Sequence, residues 1–162
     1  MRSVIILAVV LFSSCAERRD PPVPMLPTPD DDLHSLVLRT DFSNDQTWSE
    51  VSSAIAAPQG DFRAMVTFVN DRRHEGLAVE SLLSIAGKAS DQTFIFVVDR
   101  ETITRSDHPV LVVDLCEQPG RTFRVIPAAM WSVQNNLSLG NMDWEEFAEW
   151  TDPDGIFRRF PE

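Results

Sequence analysis

The chain has 162 residues, 43% hydrophobic and 24% charged, a balance that excludes a disordered polymer and matches one globular domain. Its net charge is −11, and its 14 basic residues comprise one lysine, Lys88, and scattered arginines, so it lacks the basic stripe of a nucleic-acid binder. His34, His74 and His108 show no zinc-ligand spacing, and the sequence has no P-loop, no GxSxG and no dinucleotide glycine motif, so no cofactor is implied.

Residues 1–15, MRSVIILAVVLFSSC, read as a signal-like segment. Arg2 supplies positive charge, residues 4–12 are continuously apolar, and Ser13 and Ser14 precede Cys15. A run this short does not span a bilayer as a finished helix. It fits an export signal, either of lipoprotein type with lipid on Cys15, or simply cleaved near Ser14. Phe12 stands where a lipobox wants an aliphatic residue. Two other readings stay open: a buried strand, or a translation start at Met25. Export places the protein in the cell envelope, touching membrane only through a lipid on Cys15; a start at Met25 places it in the cytoplasm. Residues 16–32 form a linker, with five prolines between Pro21 and Pro29 and then Asp30, Asp31 and Asp32. Proline removes backbone donors and favours extended chain, so this stretch acts as a semi-rigid spacer.

Residues 33–162 are expected to form a single globular domain. Residues 36–39 predict a first strand. Ser43 and Gln46 have capping-box spacing for a helix whose Trp48, Val51, Ala54 and Ile55 share a face, ended by Pro58. Residues 62–69 predict a second strand and residues 79–86 a short helix stopped by Gly87. The apolar run 93–98 predicts a central strand, followed by a polar connection over 99–109. Residues 110–115 and 122–126 predict two antiparallel strands around the turn Gln118-Pro119-Gly120. Pro127 suits the first turn of a helix over 128–136, Asn141 is placed to cap a last helix over 142–151, and residues 156–160 form a packed tail. The fold class is α/β with α+β character: a single mixed sheet of about five strands covered by three to four helices.

Three segments, LVLRTDF (36–42), VVDL with PGRTFRVI (112–115 and 119–126) and WSVQNNLSLGNMDWEEF (131–147), together resemble a family of small bacterial proteins defined as a domain of unknown function, over about residues 33–160. The resemblance implies a fold and no chemistry, and members of that family usually lack an export segment.

Three sets of residues are candidates for function. Asp41, Asp99 and Asp114 each follow a strand-like run. Ligands of open α/β sheets bind beyond the carboxyl ends of strands, so convergent carboxylates there would hold Mg²⁺ or Ca²⁺. The competing reading gives each aspartate a turn or cap role, and it is preferred. Trp131, Asn135, Asn136, Asn141 and Trp144 are concentrated in 14 positions, as either a binding groove or a structural joint. Glu145, Glu146 and Glu149 form an acidic helix face suited to a basic protein partner, or simply to solubility. No base–nucleophile pair is evident. The function expected is therefore a non-enzymatic protein-binding module, an immunity-type inhibitor or an envelope-associated interaction protein. The alternative is a small hydrolase or metal-dependent enzyme built on the strand-end aspartates.

Overall fold

The computed structural model describes residues 25–29, 31, 33–86 and 92–161. The signal-like segment, Cys15 and most of the proline-rich linker lie outside the described residues. Among the described residues no helix is long and apolar enough to cross a membrane.

The core of the fold is one mixed sheet of six strands: β1 (Ser35–Arg39), β2 (Val66–Val69), β3 (Phe94–Val98), β4 (Val110–Asp114), β5 (Thr122–Val125) and β6 (Ile156–Phe157). Their spatial order is β2-β1-β3-β4-β5-β6. β1 runs parallel to both β2 and β3, β4 is antiparallel to β3 and β5, and β6 is parallel to β5. β1 and β3 are buried at every position; β3 and the Leu36, Val37, Leu38 centre of β1 are unbroken apolar runs, as strands covered on both faces demand.

Among the described residues five α-helices cover the sheet: α1 (Asp45–Ala56), α2 (Val79–Ala86), α3 (Arg100–Thr104), α4 (Met130–Leu139) and α5 (Trp144–Glu149). Strand side chains alternate between faces. Val37, Phe94, Phe96, Val98, Val112 and Phe123 pack with α1, α4 and α5, whereas Leu36, Leu38, Ile95, Val97 and Val113 pack with α2. The helix after β1 and the helix after β2 thus lie on opposite faces, and the chain reverses its winding beside β1.

The structure differs from the sequence reading at several local points. The helix α1 is capped by Asn44, whose side chain accepts from the Thr47 amide at 3.0 Å; the Ser43 hydroxyl donates to Asp41 and Gln46 donates to Glu50. Asn44 wins because its carbonyl lies one residue nearer the first unpaired amides. Ala54 is exposed, off the Trp48, Val51, Ile55 face. The second strand spans only Val66–Val69, since Phe62 pairs with Gln59 in a tight bridge. The polar connection after β3 contains α3, started by the Asp99 cap on the Thr102 amide. α4 runs on to Leu139, where Gly140 takes the left-handed cap conformation (φ 64°) and its amide meets the Leu137 carbonyl. α5 begins after Asp143, not Asn141, because the Glu146 carboxylate accepts from the Asp143 amide at 2.8 Å. Part of the tail is a sixth strand, because Ile156 and Phe157 pair in register with Arg124 and Val125.

Candidate functional site

The three strand-end aspartates separate into two groups. Asp41 and Asp99 follow β1 and β3, which are parallel neighbours, so both lie at the carboxyl end of that pair. Asp114 pairs across with Phe94, at the beginning of β3, because β4 runs the other way. The length of β3, about 13 Å for its five residues, therefore separates Asp114 from the other two along the strand direction. The convergence on which a shared metal site depends fails for this reason, and among the described residues no group of three or more His, Cys, Asp or Glu side chains is placed to hold a metal ion.

Each carboxylate has local work. Asp41 Oδ1 accepts from the Ser43 amide at 2.8 Å. Asp99 Oδ1 accepts from the Thr102 amide and hydroxyl at 3.0 and 3.1 Å, and Arg124 reaches both of its oxygens, at 3.1 and 2.6 Å. Burial pushes the Asp99 carboxyl up, but Arg124 and Thr102 together outweigh it and hold the group below the usual carboxylate range. Asp114 accepts from the amides of Cys116, Glu117 and Gln118 at 2.8, 3.1 and 3.0 Å, and from Arg121 at 2.6 Å. Burial again acts upward there, and the Cys116 and Gln118 amides with Arg121 prevail, so Asp114 is also lowered. Both are anions with crowded lone pairs, a setting that opposes general acid or base work near neutral pH.

The Trp/Asn stretch is divided between two places. Trp131, on the first turn of α4, stacks on Phe62 with ring centroids 4.6 Å apart. Trp144, at the start of α5, is buried against Phe123 at 4.8 Å. Asn136 turns inward on its own helix, donating to the Ser132 carbonyl at 2.9 Å, and its carbonyl accepts from the Asn141 amide at 2.9 Å. Asn135 is half-buried and Asn141 exposed. These contacts set Trp131 against the Gln59–Phe62 bridge and Trp144 against β5, with the Asn136–Asn141 bond closing the connection between α4 and α5.

Arg121 ties this connection to the β4–β5 turn. It pairs with Asp114, with Glu117 at 2.8 Å and with Glu145, and its guanidinium lies 4.9 Å from the Trp144 ring centroid. A cleft of about 180 Å³ lies beside it, lined by Thr93, Asp114, Cys116, Leu137, Met142 and Trp144 among others. The acidic face is thereby thinned. Glu145 is held by Arg121 and Glu146 by the helix start, yet both stay exposed, as do Glu149 and the Trp150 that follows it. The sequence shows six carboxylates and no base from 141 to 154 because its basic partner stands 24 positions away from Glu145.

Among the buried polar residues that sequence reasoning missed, Gln134 and Arg39 make the most side-chain contacts. Gln134 is 1% exposed; its Oε1 accepts from the Met65 amide at 2.8 Å, and its Nε2 donates to the Leu33 carbonyl at 2.9 Å and to Ser138 Oγ at 3.0 Å. Arg39 is 2% exposed at the carboxyl end of β1. Its guanidinium donates to the Asp41 carbonyl at 2.9 Å, to Asn70 at 3.3 Å and to Asp45 at 2.7 Å, and stacks against Phe42 and Trp48. An arginine ending an otherwise apolar strand is the signal that marks it. A crevice of about 330 Å³ opens there, lined by Arg39, Phe42, Asp45, Trp48, Asn70 and Arg72.

No curated protein matches the chain in sequence. Residues 34–160, which span the whole sheet and all five helices, match a family described as a domain of unknown function. The chain belongs to that family, DUF6924.

Proposed function

We propose that this domain is a non-enzymatic protein-binding module that docks a basic partner surface on the exposed side of α5. The observation that carries the reading is Trp150, 51% exposed immediately after α5. Glu146, Glu149 and Trp150 lie at i, i+3 and i+4 and so share one helix side, with all three exposed. An indole beside two carboxylates offers a hydrophobic anchor with a charged rim, the combination from which interface hot spots are built. The net charge of −11 adds long-range attraction for a basic partner. The engagement of Asp99 and Asp114 by arginines and amides supports binding over hydrolysis or metal-dependent chemistry at those carboxylates.

The test is affinity capture from the native host under mild cross-linking, with the full chain and a Glu149→Gln, Trp150→Ala variant. A basic protein held by the wild type, released by salt and lost from the variant supports the reading. Equal capture of the same protein by the variant overturns it. Glu149 is exposed and Trp150 meets the edge of Phe160, so far-UV circular dichroism is recorded for the variant and is expected to match the wild type.

A further inference from the structure

We propose that the crevice beyond the carboxyl ends of β1 and β2 binds a small organic carboxylate, gripped by Arg39 with Asn70 and Arg72 beside it. In parallel half-sheets this end of the strands is where ligands bind. Here Arg39 ends β1 and Asn70 follows β2, brought side by side by the register Leu38 with Val69. The crevice volume of about 330 Å³ falls within the range of small-molecule sites.

The donor inventory points to an anion. A guanidinium carries five N–H donors. Arg39 uses three, on the Asp41 carbonyl, Asn70 and Asp45, and the other two have no partner among the described residues. Its one ionic partner, Asp45, is 78% exposed, so a nearly fully buried cation is balanced only from the solvent side. Arg72 adds a second guanidinium 4.9 Å from the Phe42 ring, opposite which its ion pair with Glu75 is long and exposed at both ends. The Asn70 amide nitrogen adds neutral donors.

The walls select the kind of anion. The planar fork of Arg39 matches a carboxylate in two-point fashion. Phe42 and Trp48, each 9% exposed, contribute only ring edges to a mainly polar lining, so the charged end of the ligand carries most of the contact and a small planar body is tolerated beside it. Asp45 already shows the chemistry, with a carboxylate oxygen 2.7 Å from Arg39 Nη2. An incoming carboxylate would displace it or share the fork with it, and the two would compete. Removing the negative charge at Asp45 should therefore tighten binding, and removing the positive charge at Arg72 should weaken it.

The test is a benzoate titration of the full chain followed by ¹⁵N NMR at the Trp48 indole N–H, with chloride and inorganic phosphate arms at matched ionic strength. The expected result is saturable binding of benzoate, weakened about fivefold in Arg72→Gln and tightened in Asp45→Asn, as one solvent-screened charge contact would give. Arg72 is exposed, whereas Asp45 is the ionic partner of the buried Arg39, so urea midpoints of both variants are measured beside the titration and the binding is compared only at temperatures where each is folded. Three results overturn the proposal: no saturation of the Trp48 signal by about 10 mM benzoate, saturation unaltered by both variants, or phosphate binding ahead of benzoate.

Discussion

Replacing Gln134 by leucine tests how the two halves of the domain are joined. The side chain is 1% exposed and makes three hydrogen bonds, to Met65, Leu33 and Ser138. Leucine fills nearly the same volume, so the cavity contribution is small. The loss then falls on the partners left behind. The Met65 amide is half-buried and loses its acceptor, whereas the Leu33 carbonyl belongs to a half-exposed residue and recovers water. An unsatisfied buried amide costs about 1–3 kcal/mol, and a lost neutral hydrogen bond with a hydrated fallback about 0.5–1 kcal/mol. The expected total is about 1.5–4 kcal/mol, a large share of a domain's net stability. Urea denaturation should show a lower midpoint at unchanged slope. Hydrogen exchange should show the Met65 amide losing protection ahead of the β3 amides. A loss under about 1 kcal/mol with Met65 protection intact would refute the reasoning, since Met65 would then have another way to satisfy its amide.

Acid titration should follow Asp99. Its carboxyl is lowered in the folded state from the ordinary 3.8, so the unfolded chain binds protons first as pH falls. Its contribution is therefore fully present above that value and disappears as pH drops through the folded one. Asp99→Asn should lower stability at neutral pH and flatten the decline below pH 3.8, read from urea midpoints against pH; an unchanged slope would show that Arg124 does not hold the carboxylate. The cap of α1 offers a second check. Asn44→Ala should cost about 1 kcal/mol and Ser43→Ala distinctly less, measured by the same denaturation; the reverse order would restore Ser43 as the cap.

Local pattern carried much of the fold. The all-apolar FIFVV of β3 announced a strand buried on both faces, and Trp48, Val51 and Ile55 announced the buried side of α1, because periodicity is a property of neighbouring residues. The helix over Val79–Ala86 and the β4–β5 hairpin were legible for the same reason. The family was also readable from the segments around β1, the hairpin and α4–α5, and the match over 34–160 bears it out.

Whatever depended on two distant segments meeting was decided by tertiary structure. Asp41, Asp99 and Asp114 look equivalent in sequence, yet strand direction puts Asp114 at the other end of the sheet. Glu145 looks like part of a free acidic face until Arg121 crosses from the hairpin to meet it. Ile156 and Phe157 form too short a run to announce a strand, and become one only because β5 offers an unpaired edge. Gln134 reads as an ordinary polar residue in the chain, and Arg39 only as the polar end of an apolar run. Burial alone changes their meaning: a polar group removed from water must find its partners inside the protein, and those partners come from wherever the fold brings the chain back.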